Sequence, residues 1–215
     1  MLLVQRLKPL VLLLLLTSCG ETPVGRQALC PLRQGAWWDY HCTDLPGTER
    51  RRVVSVAAVA DLVVARLETE AEYAVGSYWV VDAPDGIRLL PARGRRPSLE
   101  ALRNAPLWLP ATVEPGQRWS YQGALPFAVG GDGLGPPPQV RAAFTVAARE
   151  VVAVGGRRYD AWRLEAETVH ELVPPLRARE RFWYAPGVGL VRHETRVEGR
   201  GTVTLELLAH GGGGR

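Results

Sequence analysis

A chain of 215 residues suits one domain or two small ones. Its formal charge of +4 includes Arg6 and Lys8; without the first eighteen residues, 24 basic side chains face 22 acidic ones, and no lysine remains. The basic balance is therefore carried by arginines interleaved with acids, as in Arg149-Glu150 and Arg179-Glu180-Arg181, the pattern of wet strand faces. It argues against a phosphate-tracking stripe, so no nucleic-acid partner is expected.

The first element is an export segment, residues 1–18. Arg6 and Lys8 supply the positive start, Leu10 to Leu16 a short apolar core, and Thr17 and Ser18 the small residues a peptidase needs before its cut. The apolar run falls short of the roughly 20 residues that cross a hydrocarbon core. The ending Leu16-Thr17-Ser18-Cys19 resembles the lipobox of bacterial lipoproteins. The resemblance implies a mature chain that begins at acylated Cys19 and a membrane partner reached through that anchor. Gly20 after the cysteine, by analogy with enteric bacteria, favours the outer membrane, with the protein facing the periplasm.

Residues 19–29 read as a lipidated tether. With Cys19 acylated, Cys30 and Cys42 remain, and two thiols in an oxidising compartment tend to pair. Such a bridge would contribute roughly 3 kcal/mol on the chain-entropy view. The rival reading, a metal or reactive pair with only His41 alongside, makes a poor zinc site.

From Trp37 onward the pattern is strand-like, with valines and aromatics alternating with polar residues between Gly, Pro and Asp. Trp162, Leu164, Ala166 and Thr168 fall on one face, with Arg163, Glu165 and Glu167 on the other. Val203, Leu205 and Leu207 alternate with Thr202, Thr204 and Glu206. Gly155-Gly156 reads as a tight hairpin turn. Only Ser98 to Asn104 looks helical. Pro91 to Gln117 reads as a Pro- and Arg-rich loop, Leu125 to Pro138 as a long connection, and residues 211–215 as a disordered tail.

The chain also echoes itself. Gly35-Ala36-Trp37-Trp38-Asp39-Tyr40 matches Gly116-Gln117-Arg118-Trp119-Ser120-Tyr121 as G-x-x-W-x-Y. Ala65-Arg66-Leu67-Glu68-Thr69-Glu70 resembles Trp162-Arg163-Leu164-Glu165-Ala166-Glu167. Tyr78-Trp79 leads to Gly86-Ile87-Arg88-Leu89 as Phe182-Trp183 leads to Gly187-Val188-Gly189-Leu190. The three matches keep the same order, as two copies of one multi-strand unit would, with halves 30–110 and 111–210 of a single β domain spanning 30–210.

Pro31-Leu32-Arg33-Gln34-Gly35 leading to Trp38 and Tyr40 resembles the opening of many uncharacterised bacterial envelope lipoproteins. Arg157-Arg158-Tyr159-Asp160-Ala161-Trp162 looks like their turn followed by an aromatic strand. Phe182-Trp183-Tyr184-Ala185-Pro186-Gly187-Val188-Gly189-Leu190-Val191 is similar to their closing signature, W-Y-A-x-G-V-G-L-V. These proteins look akin to half-barrel carriers of lipids or lipoproteins in the periplasm. The resemblance implies a curved antiparallel sheet around an apolar interior and no assigned activity.

Candidates for chemistry are few. His41, His170, His193 and His210 share no metal-ligand spacing, though His170 or His193 with Asp39 or Glu180 could form an acid/base cluster. Ser55, Ser77, Ser98 and Ser120 lack a nucleophile-elbow context, and Gly130 to Gly135 is followed by no Lys-Ser/Thr. No cofactor is implied. The remaining resource is aromatic: Trp38, Trp79, Trp119, Trp162 and Trp183 sit on expected strands, either as core or as the lining of a groove for an apolar ligand. The expected architecture is all-β, one antiparallel sheet curved into a half-barrel or open barrel. The leading expectation is a non-catalytic, membrane-anchored periplasmic lipoprotein that binds an apolar ligand or envelope protein on its concave face. The alternatives are an assembly accessory with a packed core that binds proteins by its sheet edge, and, last, a hydrolase using His170 or His193.

Overall fold

The computed structural model describes residues 24–25, 29–43, 47–71, 74–92, 96–124, 139–172 and 174–212. The export segment, Cys19, the 125–138 connection and the last three residues lie outside them.

Fourteen strands and one short helix make up the described fold. After β1 (Val24–Gly25) come β2 (Trp37–Cys42), β3 (Thr48–Val59), β4 (Leu62–Ala71), β5 (Ala74–Ala83) and β6 (Gly86–Pro91). Helix α1 (Leu99–Arg103) precedes β7 (Leu107–Pro110), β8 (Thr112–Val113) and β9 (Arg118–Ala124). The chain closes with β10 (Gln139–Val154), β11 (Arg157–His170), β12 (Leu176–Ala185), β13 (Gly189–Val197) and β14 (Thr202–Gly211). Twelve strands form a single antiparallel sheet in the order β7-β6-β5-β4-β3-β2-β14-β13-β12-β11-β10-β9. Two meanders, β2–β7 and β9–β14, are thus joined where the last strand pairs with the first, His210 opposite Trp38 and Leu207 opposite Tyr40.

The curl brings the other two ends together. The Trp119 indole N–H donates to the Trp108 carbonyl across the β7–β9 seam at 3.1 Å. At Gly123 a Cβ would lie 2.6 Å from the Pro106 ring. The sheet is therefore nearly closed into a barrel, as expected of a curved antiparallel sheet, and its edge strands face each other.

The pairing registers of the two meanders coincide. Trp38 opposes Arg51 as Trp119 opposes Phe144. Val53 opposes Leu67 as Val146 opposes Leu164, and in both places a β-bulge follows at the next residue. Leu67 opposes Tyr78 and Arg66 opposes Trp79, as Leu164 opposes Phe182 and Arg163 opposes Trp183. The three sequence echoes thus occupy equivalent places in the ladder, bulge included.

Local chemistry accounts for most elements. Gly155 and Gly156 both take positive φ, 56° and 75°, which a two-residue hairpin turn requires. Ser98 caps α1, its hydroxyl accepting from the Ala101 N–H at 3.2 Å. Leu102 buries against Leu62, Val64, Val81 and Ala83 in a small cluster separate from the main core. Within the expected 91–117 loop, four residues form the edge strand β7; so short a run carries no alternation for a sequence reading to detect.

Two boundaries change. Val24–Gly25 pairs with β8, and Leu29 is fully buried, so the presumed tether is partly built into the fold. At the other end β14 continues through Gly211, which pairs with Trp37. A side chain there would press on the Trp37 ring, and at Gly212 a Cβ would lie 1.9 Å from the Gly35 carbonyl oxygen. These glycines serve close packing rather than a frayed tail.

The expected Cys30–Cys42 bridge is absent: both are free thiols. Leu29 and Pro31 flank Gly189 beside the Trp38 indole, whereas Cys42 lies four residues further along β2, about 13 Å away at strand rise. A disulfide needs Cα atoms within about 7 Å. Burial pushes the Cys30 thiol up to about 12, with Asp82 adding to the rise. The domain starting at Gly20 is therefore expected to show two thiols to a disulfide-exchange reagent in denaturant and close to none when native. A titration that finds none in denaturant would restore the bridge.

Candidate functional site in the barrel interior

Strand alternation divides the barrel wall. Tyr40, Arg51, Leu67, Tyr78, Val80, Leu89, Phe182, Tyr184, Leu190 and His193 point inward. They surround a cavity of about 240 Å³ that Trp108, Ile87, His170, Glu180 and Thr195 also line. Leu29, Cys30 and Pro31 lie across one end, beside Gly189. Thr195 is six residues along β13 from Gly189, about 20 Å towards the other end. Beyond the cavity the interior is packed by Phe144, Val146, Leu164, Ala166 and Trp162. The inside is thus part core and part cavity.

Only Trp38 of the five candidate tryptophans lines the cavity, its indole N–H donating to the Val188 carbonyl at 2.6 Å. Of the other four, Trp162 is core, Trp119 lines a separate groove with Phe144 and Ala166, and none lines this cavity. Trp79 and Trp183 follow the inward Tyr78 and Phe182, so strand parity turns them outward. Trp79 packs beside α1, and Trp183 donates to Glu150 at 2.8 Å under the Arg192 guanidinium. Trp119 stacks on Phe144 with ring centres 5.0 Å apart and holds the seam. Trp162 is fully buried in the packed region, beneath Arg149.

Two polar pairs reach the apolar lining, one through Arg51 and the other through Glu180 and His193. Arg51 Nε donates to Glu49 Oε1 at 2.5 Å, with side-chain exposures of 13% and 8%. The guanidinium lies 4.9 Å from the centre of the Tyr40 ring. Burial alone would lower the Arg51 pKa, but Glu49 beside it holds it above arginine's ordinary value. Burial likewise pushes the Tyr40, Tyr78 and Tyr184 phenols above their ordinary range. Tyr40 donates to the Leu190 carbonyl at 3.0 Å, and Tyr184 accepts from the Trp108 indole at 3.1 Å.

Towards the other end, His193 Nε2 lies 2.8 Å from Glu180 Oε2 and 3.1 Å from Thr195 Oγ1, with its ring stacked on Phe182 at 4.2 Å. Burial would raise the Glu180 pKa, but hydrogen bonds from His193 and Thr168 and the nearby His170 hold it below its ordinary value. The unfolded carboxylate therefore takes up its proton first as pH falls. Glu180's contribution to stability is present above about 4.5 and is lost as pH drops through the lower folded value. Glu180→Gln is expected to flatten stability against pH below 4.5 in denaturant titrations; an unchanged acid limb would refute this assignment.

The contacts of His193 differ from those of a nucleophile–His–carboxylate relay. A relay bonds the carboxylate to one ring nitrogen and the nucleophile to the other, whereas here Glu180 and Thr195 share Nε2. Of the other candidates, His170 lines the cavity, while His41 is exposed and His210 half-buried on the paired strands β2 and β14. Asp39 is tied to Arg50 on the outer face at 2.7 Å. Among the described residues no three His, Cys, Asp or Glu side chains are grouped to hold a metal ion.

Glu49, Arg51 and Trp108 escaped the sequence reading. The signal was the parity of Thr48-Glu49-Arg50-Arg51-Arg52-Val53: Glu49 and Arg51 keep step with the buried Val53, while Arg50 and Arg52 face solvent.

Fold and site together define a nearly closed antiparallel β-barrel with an apolar interior cavity and two buried polar pairs. No family model and no curated protein matches the chain. Among solved structures it is similar to a proposed exported protein with a YmcC-like fold from Bacteroides fragilis. There the identity is 14% and the TM-score 0.48, over 84% of this chain and 97% of that one. A proposed lipoprotein from Parabacteroides distasonis gives 11%, TM-score 0.49, and coverage of 84% and 96%. The hypothetical lipoprotein YmcC from Escherichia coli gives 11%, TM-score 0.38, and coverage of 86% and 89%.

Proposed function

We propose that this is a lipid-anchored protein of the bacterial cell envelope, held at the outer membrane by acylated Cys19, and that its barrel is a tandem duplication whose interior binds an apolar ligand. The cavity is the observation that carries the ligand reading: a space of about 240 Å³ walled by Leu67, Val80, Ile87, Leu89, Phe182 and Leu190, with a few fixed polar groups. The lipobox supports the anchor, and the coincident registers of the two meanders support the duplication. The sheet-edge reading has less support, because β7 and β9 are turned toward each other at the seam.

The anchor also orients the barrel. Val24 is five residues after Cys19, a reach of at most about 18 Å. The end crossed by Leu29–Pro31 then faces the membrane, and the His193 end faces the aqueous side. Cys19→Ser is expected to abolish labelled fatty-acid incorporation and shift the protein out of the carbonate-washed membrane fraction. Unchanged labelling and sedimentation would overturn the anchor.

A further inference from the structure

The two meanders serve as controls for each other. With Val53 aligned to Val146, Arg51 falls at the place of Phe144 and Glu49 at that of Ala142. With Tyr78 aligned to Phe182, Glu180 falls at the place of Gly76 and His193 at that of Pro91. Each buried polar pair thus stands where the other meander, with the same strand pairing, carries apolar or small residues. The backbone does not require either pair. A buried ion pair seldom stabilises more than apolar residues of similar volume. Yet Arg51, Glu180 and His193 all line the same cavity, and the buried Glu49 holds Arg51 there.

We propose that these two pairs form the head-group site of the cavity, and that its ligand is a single-chain amphiphile whose polar head has no net charge. The proposal rests on the ligand-binding reading above. The apolar lining takes the tail. The head meets the Glu180 carboxylate, the His193 ring and the Arg51 guanidinium. An anionic head would face the Glu180 carboxylate with Arg51 already matched by Glu49, and a cationic head would face Arg51. A head that carries both donors and acceptors, such as a sugar or a zwitterion, meets neither conflict.

The test uses the chain from Gly20 onward, which keeps all fourteen strands. It is titrated below micellar concentrations with decyl amphiphiles that differ only in the head: a sugar, a carboxylate or a trimethylammonium. Tryptophan fluorescence reports occupancy. The sugar head is expected to bind about tenfold tighter than either charged head. The double variant Glu49→Ala/Arg51→Phe, which copies Ala142 and Phe144, should fold and lose most of that preference. Glu180→Gln should improve carboxylate binding relative to sugar binding. Equal affinity for all three heads in the unaltered protein would overturn the head-group site and leave the apolar cavity standing, as would a folded double variant with unchanged preference. A double variant that cannot fold would show the pair to be structural and would equally overturn the proposal. No binding of any amphiphile would sink the ligand reading itself.

Discussion

Replacing Phe182 with alanine is expected to cost about 3–5 kcal/mol. Phe182 is buried where the two meanders meet. Its ring lies edge-on to Trp108 at 5.7 Å, tilted against Phe144 at 5.9 Å, and stacked on His193 at 4.2 Å. Those partners come from β7, β10 and β13, so one deletion opens both the seam side and the polar end of the cavity. At this chain length each kcal/mol is worth about 2–4 °C, so the melting temperature should fall by roughly 6–20 °C. Calorimetry on the domain from Gly20 checks this. A drop of only a degree or two would mean that the interior is not packed around this ring.

The second large effect is a rescue of single variants by the double one. Removing one member of the buried Glu49–Arg51 pair takes away the other's counter-charge, at a cost of about 3–5 kcal/mol. Removing both as Glu49→Ala/Arg51→Phe should be close to neutral, because Ala142 and Phe144 already fill the equivalent register positions in the second meander. Urea unfolding of Glu49→Ala, Arg51→Ala and the double variant gives the comparison. Single variants that unfold at the same urea concentration as the parent would show that the pair is solvated. A double variant as damaged as the singles would show that the two meanders are not interchangeable here.

The contrast explains what could be read from the sequence and what could not. The all-β architecture was legible, because Trp162 to Thr168 and Val203 to Leu207 alternate cleanly and Gly155-Gly156 marks a hairpin. The closing stretch Phe182 to Val191 likewise forms the β12–β13 hairpin with its turn at Gly187. The echoes between halves were legible too, and they survive as shared register. The cavity was not. Tryptophans were read by type, as core or as lining, but neighbours along a strand face opposite ways, and the bulges after Val53 and Val146 reset that parity within a strand. Counting from the buried Val53 would have placed Glu49 and Arg51 inside; reading the charge run as a wet face hid them. The disulfide failed for a related reason. Spacing of a dozen residues says nothing of direction, and β2 carries Cys42 away from Cys30.

The outer wall shows where alternating charge does mean a wet face. Glu150, Arg163, Glu165, Arg181, Glu194, Arg192 and Glu206 form a chain of ion pairs across β10 to β14, with successive contacts between 2.6 and 3.8 Å. These side chains are 20–55% exposed, so each pair adds little alone. Together they pin strand order on the solvent side, while the inner wall is mostly apolar.

Native mass spectrometry of the domain from Gly20, exported to the periplasm and purified without detergent, tests the central claim most directly. The expected spectrum carries one bound amphiphile per chain, released on collisional activation, with a head of no net charge. A bare protein mass in every preparation, with no gain after incubation with envelope lipid extract, would contradict a ligand-holding barrel.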